Sequence, residues 1–340
     1  MHVVASAPGK LVLIGDYAVL EGAPAIVLAL NRRARVAVRD NPGAGYGIDA
    51  ADLSIYGAVA RLDGQKHLRW SGVDALGAER LHLVTAVIES VLRDGGLPDF
   101  HATLDTHDFF SASDGQRKLG LGSSAALTVA LTGALRARAG LGAASAEELM
   151  RTHRRLQDGR GSGLDIAASL TGNAIVYRLR AQPQIAPVAW PAELLFSCAW
   201  SGESASTGVF LRHLAAWRSG APARYAALMQ ELAQCAEAAV AAFSGNLAGA
   251  VLEAVAAYAD GLARLGAASG LDIVSAGHRV LAAIAQACGV VYKTCGAGGG
   301  DIGIALATDV ERLRAFRQRV AQAGLQTLDV QLDPCGLQVN

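Results

Sequence analysis

Of the 30 basic residues in this 340-residue chain only four are lysines, Lys10, Lys66, Lys118 and Lys293. Three of the four lie within or beside glycine-rich segments, where a compact, flexible point charge suits phosphate. Cysteine is also sparse. The five thiols, Cys198, Cys235, Cys288, Cys295 and Cys335, form no CxxC pair and leave one over under full pairing, which argues against a secreted disulfide framework and for a reducing compartment. Net charge is missing, with 30 basic residues balanced by 30 acidic ones, so no long-range field marks a nucleic-acid binder or a membrane-seeking surface. Long apolar runs are missing too: stretches such as Ala25 to Leu30 fall far short of the roughly 20 residues needed to span a bilayer. No basic segment followed by an apolar one precedes the first motif, and the eight histidines show no HExxH spacing, so neither a secretory leader nor zinc chemistry is expected. These absences predict a cytoplasmic protein without nucleic-acid or membrane partners, whose phosphate binding must be local.

What is present is a well-buried globular chain, 52% hydrophobic and 18% charged, long enough for two ordinary domains or one large one. Short β-rich runs at Val3 to Ala5, Leu11 to Ile14, Ala25 to Leu30 and Arg33 to Val38 predict antiparallel strands. Helical spacing recurs from Arg80 to Arg93, Ser124 to Ala139 is alanine- and leucine-rich with no breaker except Gly133, and Ser145 with Glu148 predicts a capping box opening a helix to about Leu156. Prolines 183, 187 and 191 mark a boundary near residue 185, giving domains 1–185 and 186–340. Beyond it the order is a strand, long alanine-rich helices, then helix 276–288, strands 290–294 and 302–307, helix 310–323 and strand 326–332. With the helical insertion removed this is β-α-β-β-α-β, the split βαβ pattern of ferredoxin-like folds.

Three glycine-bearing segments carry the chemistry. Lys118-Leu119-Gly120-Leu121-Gly122-Ser123-Ser124-Ala125 runs directly into a helix, so Gly120 and Gly122 let successive N–H groups converge on an anion while the helix N-terminus adds positive potential. Ser123 or Ser124 supplies a hydroxyl for Mg²⁺ or a phosphate oxygen; a serine-capped tight turn is the alternative. The lysine precedes the glycines, which departs from the Walker A order. Lys293 to Asp301 packs four glycines into the five positions from Gly296 to Gly300 between two predicted strands, which points to backbone pressed on a ligand or to a flexible connection. The third segment is Ala7-Pro8-Gly9-Lys10, leading to Gly15-Asp16-Tyr17.

In this order the three segments resemble the motifs of the GHMP kinases, the superfamily of galactokinase, homoserine kinase, mevalonate kinase and phosphomevalonate kinase, over essentially the whole chain. The resemblance implies an α+β fold, with an S5-like α/β N-terminal domain, a ferredoxin-like C-terminal domain carrying a helical insertion, and an active site between them. It further implies ATP and Mg²⁺ as cofactors, and nucleotide contacts from Lys118, Gly120, Leu121, Gly122, Ser123, Ser124 and Ala125, with Ser124 on the metal. Gly161 to Ser169 resembles the segment carrying the family's catalytic aspartate, which makes Asp165 the acidic centre and Lys10 its nearby cation. Within the superfamily the phosphomevalonate kinases are the most similar group: Tyr17 stands in GDYAVLEG, Lys118 precedes GLGSS, His153 to Gln157 leads to GSGLD, and Gly202 to Thr207 matches a G-x-x-A-S-T segment.

That likeness implies a small isoprenoid-precursor acceptor, held by Tyr17, Ser204, Ser206, Thr207, Gly296, Ala297, Gly298 and Asp301. Mevalonate kinase, another small-molecule kinase of the group and a nucleotide-binding non-catalytic homologue remain the alternatives, and a homodimer is left open. Two positions depart from the pattern. Arg154 stands where mevalonate kinases carry a metal-binding glutamate, and Asp16 is one methylene shorter than the usual glutamate. His153 is expected on a helix surface.

Overall fold

The structure is a computed structural model that describes residues 2–111, 117–157 and 161–340. The long antiparallel pair β1 (His2–Ile14) and β2 (Pro24–Asp40) replaces the four short strands expected from sequence. The pair stays continuous because the breaks between Pro8 and Gly9 and between Val12 and Ile14 are register shifts within one ladder rather than strand ends. Just past the first shift the Lys10 N–H donates to the Leu121 carbonyl at 2.8 Å.

The chain continues through β3 (Tyr46–Ala50), β4 (Ile55–Leu62) and β5 (Leu68–Ser71), a region for which no strands were predicted. Next come α1 (Ala75–Arg80), capped by Asp74, then α2 (His82–Asp94) and β6 (Phe100–Asp105). α3 (Ser123–Arg138), α4 (Ala146–Arg154) and α5 (Leu164–Thr171) precede β7 (Ala174–Arg178) and β8 (Gln184–Val188). The capping box of Ser145 and Glu148 opens α4 as expected. β8 occupies the proline-containing stretch read from sequence as loop, on the edge where Pro187 costs no ladder bond.

A second unit follows: β9 (Leu195–Trp200), α6 (Thr207–Gly220), α7 (Pro222–Ser244), α8 (Ala248–Ser269), α9 (Ala276–Ala287), β10 (Val291–Thr294), β11 (Ile302–Ala307), α10 (Val310–Gln322) and β12 (Gln326–Leu328). Its antiparallel sheet has the order β10-β11-β9-β12, the ferredoxin-like arrangement, with α6 to α8 as the insertion. β12 ends at Leu328, four residues before the expected 332. The last strand, β13 (Gln338–Val339), returns to pair with β1, so the larger sheet reads β13-β1-β2-β6-β3-β4-β5 with β7 and β8 attached through β2.

The run Ala25 to Leu30 is apolar throughout because both faces of its strand are covered. Ala25 and Val27 join the cluster under α2, α3 and α5, whereas Ile26, Leu28 and Leu30 join a second cluster with Tyr225, Met229, Tyr258 and Leu262 of α7 and α8. The β1–β2 pair is therefore the central layer of the molecule, and its Lys10 end meets the second unit.

Candidate active site

A cleft of about 420 Å³ opens where β1 faces the second unit. One wall is Lys10 and Val12 of β1 with Val19 and Leu20 of the following turn; another is Gly161, Ser162, Leu164 and Asp165 at the start of α5. Thr207, Gly208, Leu211 and Arg212 of α6 close the far side with Gly296 and Ala297 of the β10–β11 loop. Lys10, Thr207, Gly296 and Ala297 also line an adjoining recess with Gly120, Leu121 and Asp301.

Lys10 links these spaces. Its backbone N–H is bonded to Leu121, and its ammonium lies 3.4 Å from the Gly120 carbonyl, so strand and loop are tied at one residue. Gly122 is the N-cap of α3 in the left-handed region at φ 78°, with no side-chain cap, and a Cβ there would stand 3.0 Å from the Lys10 stem. The first N–H groups of α3 are consequently uncapped by a side chain at a helix end, the arrangement that receives phosphate. Asp165 lies in the first turn of α5, its carboxylate accepting the Ile166 N–H at 2.9 Å.

Ser124 is exposed at the start of α3, and its Oγ lies 3.0 Å from His153 Nε2. The other ring nitrogen, Nδ1, lies 3.8 Å from Asp165 Oδ2. His153 is buried, at 2% exposure, which corrects the surface position expected for it. Its neighbour Arg154 donates to the Gly161 and Ser162 carbonyls at 3.0 and 3.2 Å, so it holds the chain leading to Asp165. The Gln157 side chain and residues 158–160 of the same matched stretch lie outside the described residues.

Other sequence candidates fall differently. Lys118 is exposed, in an isolated bridge to Phe110, and does not line the cleft. Ser204 and Ser206 are exposed outside its lining, Ser206 as the residue before α6. Asp301 sits against the Gly120 turn: a Cβ on Gly120 would fall 2.5 Å from its Cγ, and burial pushes its carboxyl up. Of the late glycines, a Cβ at Gly298, Gly299 or Gly300 would press on Ile273, Phe210 or Glu203 of this protein; at Gly296 the space is open.

Lys293 is the larger surprise. Its ammonium is fully buried and pairs with Asp16 Oδ2 at 2.5 Å, 5.7 Å from the Tyr258 ring centroid. Asp16 Oδ1 accepts the Gly296 N–H at 2.6 Å, and the Tyr17 hydroxyl donates to the Ala297 carbonyl. Burial raises the Asp16 carboxyl and Lys293 partly offsets that rise. Asp16, one methylene short of the family's glutamate, thus anchors the loop that forms one wall of the cleft.

Residues 82–173 match the family described as GHMP kinases N terminal domain. A phosphomevalonate kinase from Streptomyces sp. strain CL190 is 32% identical over 363 residues, covering 96% of each chain. The chain belongs to the GHMP kinases. A mevalonate kinase from Thermococcus gammatolerans is 30% identical over 209 residues, covering 61% of this chain and 60% of its own. A Streptococcus pneumoniae phosphomevalonate kinase, solved in complex with phosphomevalonate and AMPPNP, superposes with a TM-score of 0.79 over 97% of this chain and 99% of that one, at 20% identity. The α+β architecture of this GHMP kinase is thus that of its superfamily, and no helix among its described residues is long and apolar enough to cross a membrane.

Proposed function

We propose that this ATP-dependent kinase acts in the cytoplasm on phosphomevalonate, transferring the γ-phosphoryl group of ATP to the acceptor phosphate to give diphosphomevalonate and ADP. The observation that carries the reading is convergence: Lys10 and Asp165 line one cleft, Gly120 and Leu121 just before α3 line the adjoining recess with Lys10, and the chain is aligned along 96% of its length with a phosphomevalonate kinase. Units 1–185 and 186–340 supply its two sides.

Among the described residues no three His, Cys, Asp or Glu side chains gather to hold a metal. Mg²⁺ nevertheless fits, because it takes one or two protein oxygens beside substrate phosphates and water, and Ser124 Oγ and the Asp165 carboxylate are the donors at hand. When bound, it would offset the charge of the nucleotide phosphates.

The protein's own part is positioning and charge. An oxygen of the acceptor phosphate attacks the γ-phosphorus as the bond to the bridging β-oxygen breaks, and ADP leaves with that electron pair. A phosphate monoester, with a second pKa of about 6, is largely dianionic near neutrality and needs cations more than a base. Lys10 and Arg212 are the cationic side chains among the described cleft residues, and on this reading they offset the charge of the reacting phosphates. Asp165 would then help hold the metal and orient Lys10; toward an alcohol it would instead take the hydroxyl proton. Val19, Leu20, Leu164 and Leu211 offer an apolar lining for the acceptor's carbon skeleton.

The test is ADP release with phosphomevalonate, mevalonate, homoserine and galactose as acceptors. Phosphomevalonate should be turned over with kcat/KM at least ~100-fold above the others, and Lys10→Met should lower kcat by roughly 10²–10³-fold. Asp165→Asn should leave measurable turnover with the phosphate acceptor. Preference for mevalonate, together with complete loss in Asp165→Asn, would favour the alcohol kinase; nucleotide binding without ADP formation would favour the non-catalytic homologue.

A further inference from the structure

The end of α4 places one buried imidazole between two groups the proposed mechanism uses. His153 Nε2 is 3.0 Å from Ser124 Oγ, and Nδ1 is 3.8 Å from Asp165 Oδ2. The second distance is a charge–dipole contact rather than a hydrogen bond, but its sense is clear. A carboxylate only accepts, so it favours the tautomer with hydrogen on Nδ1, and Nε2 is then left to accept the Ser124 hydroxyl proton.

That direction has a consequence for Ser124. With its hydrogen committed to the ring, the hydroxyl presents lone pairs to solvent at the start of α3, where a metal–nucleotide complex would sit. Were the hydrogen free, it would compete for that space. The ring itself is fixed: His153 is 2% exposed, and Thr152 beside it donates to Ser90 Oγ at 3.1 Å. Arg154, which stands where mevalonate kinases carry a metal-binding glutamate, is turned to the Gly161 and Ser162 carbonyls.

We propose that His153 is a positioning residue that orients the Ser124 hydroxyl for the Mg²⁺–nucleotide complex, a role resting on the assignment of Ser124 as a metal ligand. Groups that hold a metal ligand in place typically govern affinity by about 10–100-fold. The effect therefore belongs in nucleotide binding, before any acceptor is present.

The test measures the Kd of AMPPNP with Mg²⁺ by calorimetry on the whole chain. His153→Gln keeps an acceptor where Nε2 lies, whereas His153→Asn reaches only the Nδ1 position. His153→Asn should weaken binding ~10-fold and His153→Gln less than ~3-fold, a rescue that loss of packing alone would not produce. In a Ser124→Ala background His153→Asn should have no further effect, because the bond it breaks is already gone. Equal losses in both substitutions, no loss in either, or an undiminished loss in the Ser124→Ala background would overturn the proposal. If Ser124→Ala alone binds as tightly as the unaltered chain, the metal-ligand assignment fails and this role falls with it; if only the His153 series is flat, the assignment stands. Should His153→Asn not fold by circular dichroism, His153→Met, similar in bulk but without a comparable acceptor, takes its place.

Discussion

Two of the four lysines do opposite work, and burial decides which. Lys10 lines the cleft, while Lys293 is sealed against Asp16 with both side chains at 1% exposure or less. A buried pair is weak evidence for net stabilisation, but removing one partner strands the other charge. Lys293→Met should therefore cost ~3–5 kcal/mol in urea unfolding, and adding Asp16→Asn should recover part of that loss. Lys10→Met should change stability by no more than ~0.5 kcal/mol while activity collapses. A Lys293→Met chain as stable as its parent would show that the pair is not what holds the Gly296 loop.

His278 gives the fold a pH dependence with a definite sign. It is fully buried, with Nδ1 2.8 Å from the Tyr292 hydroxyl and Nε2 2.8 Å from the Gly300 carbonyl, so a neutral ring accepting from the tyrosine and donating to the carbonyl satisfies both nitrogens. Burial pulls its pKa below the ordinary 6.5. The unfolded chain therefore takes up this proton first as pH falls, and the stability contributed by the neutral ring is complete above about 6.5 and lost as pH drops toward the lower folded value. Unfolding free energies measured across that interval should decline with acid more steeply in the parent than in His278→Gln; parallel curves would remove His278 from the account.

At the scale of elements, the β10–β11 loop separates two uses of glycine. Gly296 and Gly298 both sit in the left-handed region, at φ 75° and 70°. A Cβ at Gly296 would meet open space, whereas at Gly298 it would lie 2.4 Å from the Ile273 carbonyl oxygen. Gly296→Ala should cost about 1–2 kcal/mol from backbone strain alone. Gly298→Ala adds a clash that backbone must move to relieve, so it should cost about 1–3 kcal/mol more and its thermal midpoint should lie lower. Equal midpoints would mean the Ile273 contact yields freely.

The same loop shows where sequence reading stops. Glycine density announces close approach, but composition does not say whether ligand or protein approaches, and Ile273, Phe210 and Glu203 are remote from the motif in sequence. Helical patterning is more informative: apolar spacing marks α2, a breaker-poor alanine- and leucine-rich run marks α3, and the capping box of Ser145 and Glu148 opens α4. His153 was within its reach, since Leu149 lies one turn earlier on the buried face of α4 and four residues back along the same stripe. The Asp16–Lys293 pair was not, because no local pattern joins residues so distant in sequence. The β3–β5 strands escaped for a different reason: Gly47, Gly57 and several alanines blur the alternation on which strand recognition depends.

For the whole molecule, the governing fact is that the second apolar cluster ignores the boundary expected near residue 185. Leu11, Leu13, Ile14, Ile26 and Leu28 from the first unit pack with Tyr225, Met229, Tyr258, Leu262, Ile273 and Ile304 from the second. Polar ties cross the same line: Arg178 grips Glu237 at 2.6 and 2.8 Å, Arg218 and Tyr225 both meet Glu21 at 2.8 Å, and the Tyr258 hydroxyl donates to the Asp16 carbonyl at 2.5 Å. The C-terminal segment closes the circuit, with Arg33 on Asp333 at 2.6 Å and β13 on β1. Two units joined through a small wet interface would melt separately, but these share a core, and separating them would expose one face of the β1–β2 layer. Differential scanning calorimetry should accordingly show one transition whose calorimetric and van't Hoff enthalpies agree. Fragments 1–185 and 186–340 expressed apart should be insoluble or lack cooperative melting, because each keeps only part of that cluster and the first loses the β13 edge. Two resolved transitions, or a 1–185 fragment that melts cooperatively alone, would show that the shared cluster contributes little to either unit.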